Sequence, residues 1–166
     1  MRHIISILLQ NEAGALARVA SLFSTRGYNI ESLNVAPTDD PQTSRLTLVT
    51  IGSDEVINQI NKQLFKLVDV VNIADMTLGD HIERELLLLK LRVPDVSMKA
   101  LADLLAQHHV RALDDDPGNY TLELTGTGNQ IDAFLDRAGS LAEILTVVRS
   151  GPLAVARGQQ VLRFQT

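Results

Sequence analysis

An α+β fold made of two tandem β-α-β-β-α-β units is what this sequence predicts, and three observations predict it. Short apolar runs suited to strands alternate with 3.6-residue apolar stripes suited to helices. Clusters of Gly, Pro, Asn and Asp separate them. The order of elements over residues 3–77 then returns over residues 83–149. The recurrence is one of element order, because residue identity between the halves is low.

His3 to Gln10 is too apolar for a strand with one wet face and reads as a central strand covered on both sides. Asn11 to Gly14 breaks it. Leu16, Val19, Ala20 and Phe23 then fall at i, i+3, i+4 and i+7, a helical stripe that Gly27 can end. Tyr28 to Ala36 is extended, and Pro37-Thr38-Asp39-Asp40-Pro41 is a turn. Arg45 to Ile51 alternates as a strand. The helix expected from about Asp54 to Leu67 carries Ile57, Ile60, Leu64 and Leu67 on one face, with acids at its start and Lys62 and Lys66 toward its end. Val68 to Met76 closes the unit. This is the split β-α-β, or ferredoxin-like, pattern: a four-stranded antiparallel sheet with both helices on one face.

Leu78 to Ile82 is the best linker. Glu83 to Val93 is the next strand, and Met98, Leu101, Ala102 and Leu105 form a helical stripe starting near Ser97. Val110 to Leu113 and Tyr120 to Thr125 are strands joined by the turn Asp114 to Asn119. Ile131, Phe134, Leu135 and Ala138 mark a helix, and Ile144 to Arg149 is the last strand. A sheet with helices on one side leaves its other face open, so a partner sheet or subunit is expected to cover it, in at least a homodimer. Halves of roughly 80 residues bury less surface than one compact domain, which points the same way.

Composition removes several function classes. With no cysteine there are no disulfides, thiolate metal sites or cysteine nucleophiles. A net charge of −5 supplies no basic footprint for nucleic acid. Apolar runs long enough for a membrane span, and a secretory leader, are not seen, so the expected location is cytoplasmic. His3, His81, His108 and His109 have no metal-ligand spacing. Asp114 to Asp116 reads first as a solvated turn rather than a cation site. Gly126-Thr127-Gly128 holds only a fragment of a phosphate-binding turn. The enzyme reading is thin: a small ferredoxin-like enzyme using a carboxylate or His108 as acid or base.

Two polar corners flank the first helix, Asn11 to Gly14 and Gly27 to Asn29, and a small ligand is expected there. Asn11 to Gly14 supports two readings. In one, it is a helix start, with Asn11 as cap, Glu12 favouring the helix dipole and Gly14 turning the chain. In the other, Gly14 keeps side-chain bulk away while backbone N–H groups take a ligand carboxylate and an Asn side chain takes the rest of its polar head. Residue mechanics alone leaves both open.

The residues Asn11-Glu12-Ala13-Gly14-Ala15-Leu16-Ala17-Arg18-Val19, Phe23-Ser24-Thr25-Arg26-Gly27-Tyr28-Asn29-Ile30-Glu31-Ser32-Leu33 and Ala36-Pro37-Thr38 resemble the ACT domain of the small regulatory subunit of acetolactate synthase, also called acetohydroxyacid synthase. The likeness continues through Gln63 to Val70, Glu83 to Leu86, Tyr120 to Gly126 and Val148 to Gly151. It implies an ACT domain over residues 1–78, for effector binding and dimerisation, and a second ferredoxin-like domain over 79–166. It also implies a non-catalytic subunit that activates the enzyme and confers feedback inhibition by a branched-chain amino acid, valine first, in valine, leucine and isoleucine biosynthesis.

The implied partners are the large catalytic subunit, a second copy of the chain and valine or a related amino acid. Thiamine diphosphate, Mg²⁺ and FAD belong to the large subunit, and no cofactor to this chain. Carried onto this sequence, Asn11, Ala13, Gly14, Ala15 and Leu16 form one wall of the effector site, and Asn29 and Ile30 of a second chain form the other. Ala17 stands where the family often has Ser. An ACT-type sensor attached to another metabolic enzyme is the nearest alternative. Arg149, Arg157 and Arg163 are candidates to dock the catalytic subunit, with a solvated tail as the competing reading.

Overall fold

The computed structural model describes residues 1–162. The described residues form two compact units, one of residues 1–82 together with residues 153–162, the other of Glu83–Pro152. The expected division at residues 78 and 79 gave the whole chain after it to the second domain. The difference lies in residues 153–162, where Ala154 and Ala156 pack with Ile4, Val49 and Met76 of the first unit.

In the first unit β1 (Arg2–Gln10), α1 (Ala15–Thr25), β2 (Ile30–Pro37), β3 (Thr43–Ile51), α2 (Asp54–Leu64) and β4 (Val70–Asp75) follow the predicted order. The sheet runs β2-β3-β1-β4 with every neighbouring pair antiparallel. Ile5, Ile7 and Leu9 of β1 and Leu46 and Leu48 of β3 pack with Val19 and Phe23 of α1 and Ile57, Ile60 and Leu64 of α2. The stripe of α1 is phased differently from the sequence reading: Ala15, Val19 and Phe23 are buried, while Leu16 is 40% exposed. The chain enters α1 through a left-handed Gly14, and that entry turns Leu16 outward. The helix α2 starts on a Ser53 cap, whose side chain accepts from the Val56 N–H, and stops at Leu64 rather than Leu67.

β1 is buried on both faces, as its composition predicted. Part of the second face is covered by the chain itself. Ile4, Val49 and Met76 form a small core with Ala154 of β9 (Leu153–Ala156), a strand absent from the sequence reading. Arg157 ties this segment back, its N–H donating to the Asp80 carbonyl at 3.0 Å and its Nε to Asp80 Oδ1 at 3.1 Å.

The second unit contains most of β5 (His81–Arg92), then α3 (Met98–Gln107), β6 (Arg111–Asp114), β7 (Asn119–Gly126), α4 (Gly128–Leu141) and β8 (Glu143–Arg149). Its strands run β6-β7-β5-β8. The expected linker 78–82 is partly the first residues of β5. Leu87, Leu89 and Leu91 point to the helices and meet Leu101, Leu104, Ile131 and Phe134, so the four-leucine run splits by strand alternation into two faces. Gly126-Thr127-Gly128 is a capping box: Thr127 Oγ1 accepts from the Gln130 N–H at 3.3 Å and Gln130 Oε1 from the Thr127 N–H at 2.8 Å. Among the described residues no helix is long and apolar enough to cross a membrane.

Candidate effector site at the first strand–helix turn

The turn after β1 is built by backbone and side-chain contacts that sequence spacing hides. Asn11 donates its N–H to the Gln42 carbonyl at 2.8 Å, donates Nδ2 to the Pro41 carbonyl at 3.0 Å and accepts the Ser44 hydroxyl on Oδ1 at 3.1 Å. It therefore staples the turn to the loop and strand that follow β2. It is not the helix cap. Gly14 occupies that position, with φ 89° and no side-chain hydrogen bond to the first turn. The first N–H groups of a helix have no intrahelical partner, and here no cap side chain takes their place.

Arg18 holds this corner from below, and sequence reasoning missed it. Its guanidinium forms a two-pronged ion pair with Asp69, through Nε to Oδ2 and through Nη2 to Oδ1 at 2.9 Å. Nη2 also lies 3.5 Å from the Ala13 carbonyl. Asp69 is 3% exposed, and the hydrogen bond from Arg18 holds its carboxyl below the ordinary aspartate value, against the opposing effect of desolvation. The same contact raises Arg18. The four-residue spacing puts Arg18 one turn after the Gly14 cap, but nothing local signals its pairing with Asp69. A groove of about 430 Å³ runs along that face past Gly14, Ala17, Arg18, Ser21 and Leu22.

Within one chain the structure brings together Asn11, Ala13, Gly14, Ala15 and Leu16. Asn11, Ala13 and Leu16 are exposed, and Ala15 is buried in the core. Asn29 and Ile30 are elsewhere. Ile30 is level with Thr50, and Thr50 with His3, at the end of the sheet opposite Gln10. Seven residues of strand separate His3 from Gln10, about 23 Å at roughly 3.3 Å per residue. One chain therefore cannot supply both walls.

The other candidates have local explanations. Among the described residues no group of three or more His, Cys, Asp or Glu side chains could hold a metal ion. Arg149 is engaged inside the second unit, with Nε 2.6 Å and Nη2 3.1 Å from the Glu85 carboxylate and Nη1 2.6 Å from Asp132 Oδ1. These bonds, Glu85 foremost, raise its pKa. Arg157 pairs with Asp80, and Arg163 lies outside the described residues.

Residues 5–72 match the family described as AHAS small subunit-like ACT domain, and residues 84–158 match small subunit of acetolactate synthase. The acetolactate synthase isozyme 3 small subunits of Salmonella typhimurium and Escherichia coli are each 45% identical over 163 residues, spanning 98% of this chain and 100% of theirs. The chain belongs to the acetolactate synthase small-subunit family. The solved small subunit from Thermotoga maritima is 30% identical with a TM-score of 0.85, covering 96% of this chain and 99% of that one. As an acetolactate synthase small subunit, the chain is the non-catalytic, regulatory member of the enzyme and associates with the large catalytic subunit. The reading as a small independent enzyme falls with that assignment.

Proposed function

We propose that this chain confers feedback inhibition by a branched-chain amino acid, valine first, on its catalytic subunit, and that the effector sits between two copies of the chain. The supporting observation is the direction of β2. It is an edge strand, hydrogen-bonded to β3 on one side only. If two copies pair their β2 edges antiparallel about a two-fold axis, the Ile30 end of each lies beside the Pro37 end of the other, which is the end that carries the Asn11–Gly14 turn. That pairing removes the separation of about 23 Å. Asn11, Ala13, Gly14 and Leu16, with the backbone of the buried Ala15, then face Asn29 and Ile30 of a second copy, and the small residues Gly14, Ala17 and Ser21 leave room for close approach of α1.

In this site the Ala15 N–H is held by the Glu12 carbonyl at 3.3 Å and the Leu16 and Ala17 N–H groups take the effector carboxylate, Asn29 takes its ammonium through a carbonyl oxygen, and Leu16 and Ile30 enclose the aliphatic side chain. One methylene changes binding by about 1–3 kcal/mol, so leucine and isoleucine compete with valine. Inhibition requires the effector to bind the inhibiting state more tightly than the permissive one. Couplings of about 1–3 kcal/mol give roughly 5–150-fold changes. Thiamine diphosphate, Mg²⁺ and FAD stay on the catalytic subunit, this chain holds no cofactor, and the holoenzyme is cytoplasmic.

The test is reconstitution. Mixed with its catalytic subunit, the chain is expected to raise acetolactate synthesis and to make it valine-sensitive. Activation without sensitivity to valine, leucine or isoleucine would remove the effector role and leave the subunit assignment standing.

A further inference from the structure

A second cleft, in the Glu83–Pro152 unit, carries a charge opposite to that of the chain. The whole sequence has a net charge of −5. Yet at one end of the second sheet Arg84 of β5, Arg111 of β6 and the paired His108 and His109 at the end of α3 line one cavity of about 420 Å³, with Glu123 of β7 on its wall. Arg111 Nη1 lies 3.3 Å from Glu123 Oε1, an exposed pair that leaves Arg84 and both imidazoles without a facing carboxylate among the cavity's lining residues.

The histidines sit there at a conformational expense. The helix α3 ends in a Schellman turn, the Val110 N–H donating to the Leu105 carbonyl at 3.0 Å and the His109 N–H to the Ala106 carbonyl at 3.4 Å. Such turns place a left-handed residue after the cap, usually glycine. His109 holds that place with φ 53°, and among the described residues no other non-glycine has a positive φ. His108, beside it, is set edge-on against the buried ring of Phe134, with centroids 5.6 Å apart. Helix termination accounts for the backbone but not for the choice of histidine where glycine is less strained.

We propose that this cleft binds a phosphate group carried on a small organic molecule. Guanidinium and imidazole donors approaching from two strands and a helix end suit a tetrahedral oxyanion, which offers acceptors in several directions, better than a planar carboxylate. The volume exceeds what a bare phosphate fills and lies in the range of small-molecule pockets. The site is independent of the effector site above, because it is made entirely of second-unit residues.

The four histidines make the test direct. Ring signals of the full-length chain are followed by NMR at fixed ionic strength while inorganic phosphate, glycerol phosphate or acetate is added. Saturable shifts at His108 and His109, with His3 and His81 still, are expected, with glycerol phosphate tightest. Arg84→Gln and Arg111→Gln should each weaken binding about tenfold, the loss of one charge-assisted contact. Glu123→Gln should tighten it. His109→Gly should fold at least as stably as the native chain and bind less well. Equal movement of all four rings, acetate binding as tightly as the phosphates, or the absence of saturation each overturns the proposal.

Discussion

The Arg18 guanidinium lies where a side chain on Gly14 would have to go: a Cβ added to Gly14 would sit 2.8 Å from Arg18 Nη1. Gly14 also has φ 89°, a conformation L side chains rarely adopt. The backbone conformation is the firm constraint, and the guanidinium, the far end of a long side chain, resists displacement only through its pairing with Asp69. Gly14→Asp adds bulk and a negative charge where the effector carboxylate is proposed to sit. It is expected to abolish valine binding, and with it inhibition of the reconstituted enzyme, and to cost about 1–2 kcal/mol of stability through the left-handed backbone. Calorimetry reads the first effect and thermal unfolding the second. Unchanged valine binding in a folded Gly14→Asp chain would sink the site.

Asn29→Ala separates site from fold. The Asn29 side chain is exposed, and what the strand needs from this residue is its carbonyl, which accepts the Thr50 hydroxyl at 2.7 Å and survives the substitution. Effector affinity should fall about tenfold while the unfolding midpoint stays within a degree or two, as expected for a surface change. An unchanged affinity would place the ammonium contact on another residue.

The Arg18–Asp69 pair makes stability pH-dependent in a defined direction. Asp69 is lowered in the folded chain, chiefly by the hydrogen bond from Arg18. A lowered carboxyl contributes stability that is present above its unfolded pKa and is lost as pH falls through the folded one. Arg18→Met removes that contribution, so its midpoint should lie below the native one at neutral pH. The gap should close in acid as Asp69 protonates in both chains. A gap that is constant from neutral to acid would mean Arg18 acts through packing alone.

The fold was legible because local signals agreed with one another. Ile57, Ile60 and Leu64 on one helical face, the alternation in β3 and the turn residues around Pro117 each pointed to the element that formed. Legibility ended where long-range contacts decide. Nothing local in Asn11 announces that its side chain is used by Pro41 and Ser44, or that Gly14 becomes the cap. The short β9 has no periodicity to read, and its contacts with Ile4, Val49 and Met76 through Ala154 are long-range ones. For the site, spacing offered Asn11 to Gly14 as one corner. The turn Gly27 to Asn29 was legible as a second polar corner, but Ile30 and the meeting of the two corners across chains came only from family resemblance, since residues meant to meet across two chains leave no pattern within one. Arg18 was hidden because its partner Asp69 is 51 residues away.

The capping box of α4 offers a test of the second unit alone. Thr127 and Gln130 satisfy each other's N–H groups reciprocally. Thr127→Ala breaks one arm, and a loss of about 1 kcal/mol is expected in denaturant unfolding, with valine sensitivity unchanged. A loss of sensitivity would show that α4 transmits the effector signal.

The edge of β2 decides whether the site is shared. Leu33 and Val35 lie on this edge strand, on the same sheet face as the buried Leu48 and Leu46 with which they are level, yet are 36% and 40% exposed. An exposed apolar edge invites another strand. Across the proposed two-fold axis these residues would be covered by their counterparts, and a lysine at either would bring like charges together where apolar contact is needed. Val35→Lys is therefore expected to convert a dimer to monomer in sedimentation at micromolar concentration. Effector binding should go with it, although Val35 lies outside both proposed walls of the site. Monomeric Val35→Lys that still binds valine at native affinity would confine the effector to one chain and exclude Asn29 and Ile30 from its site.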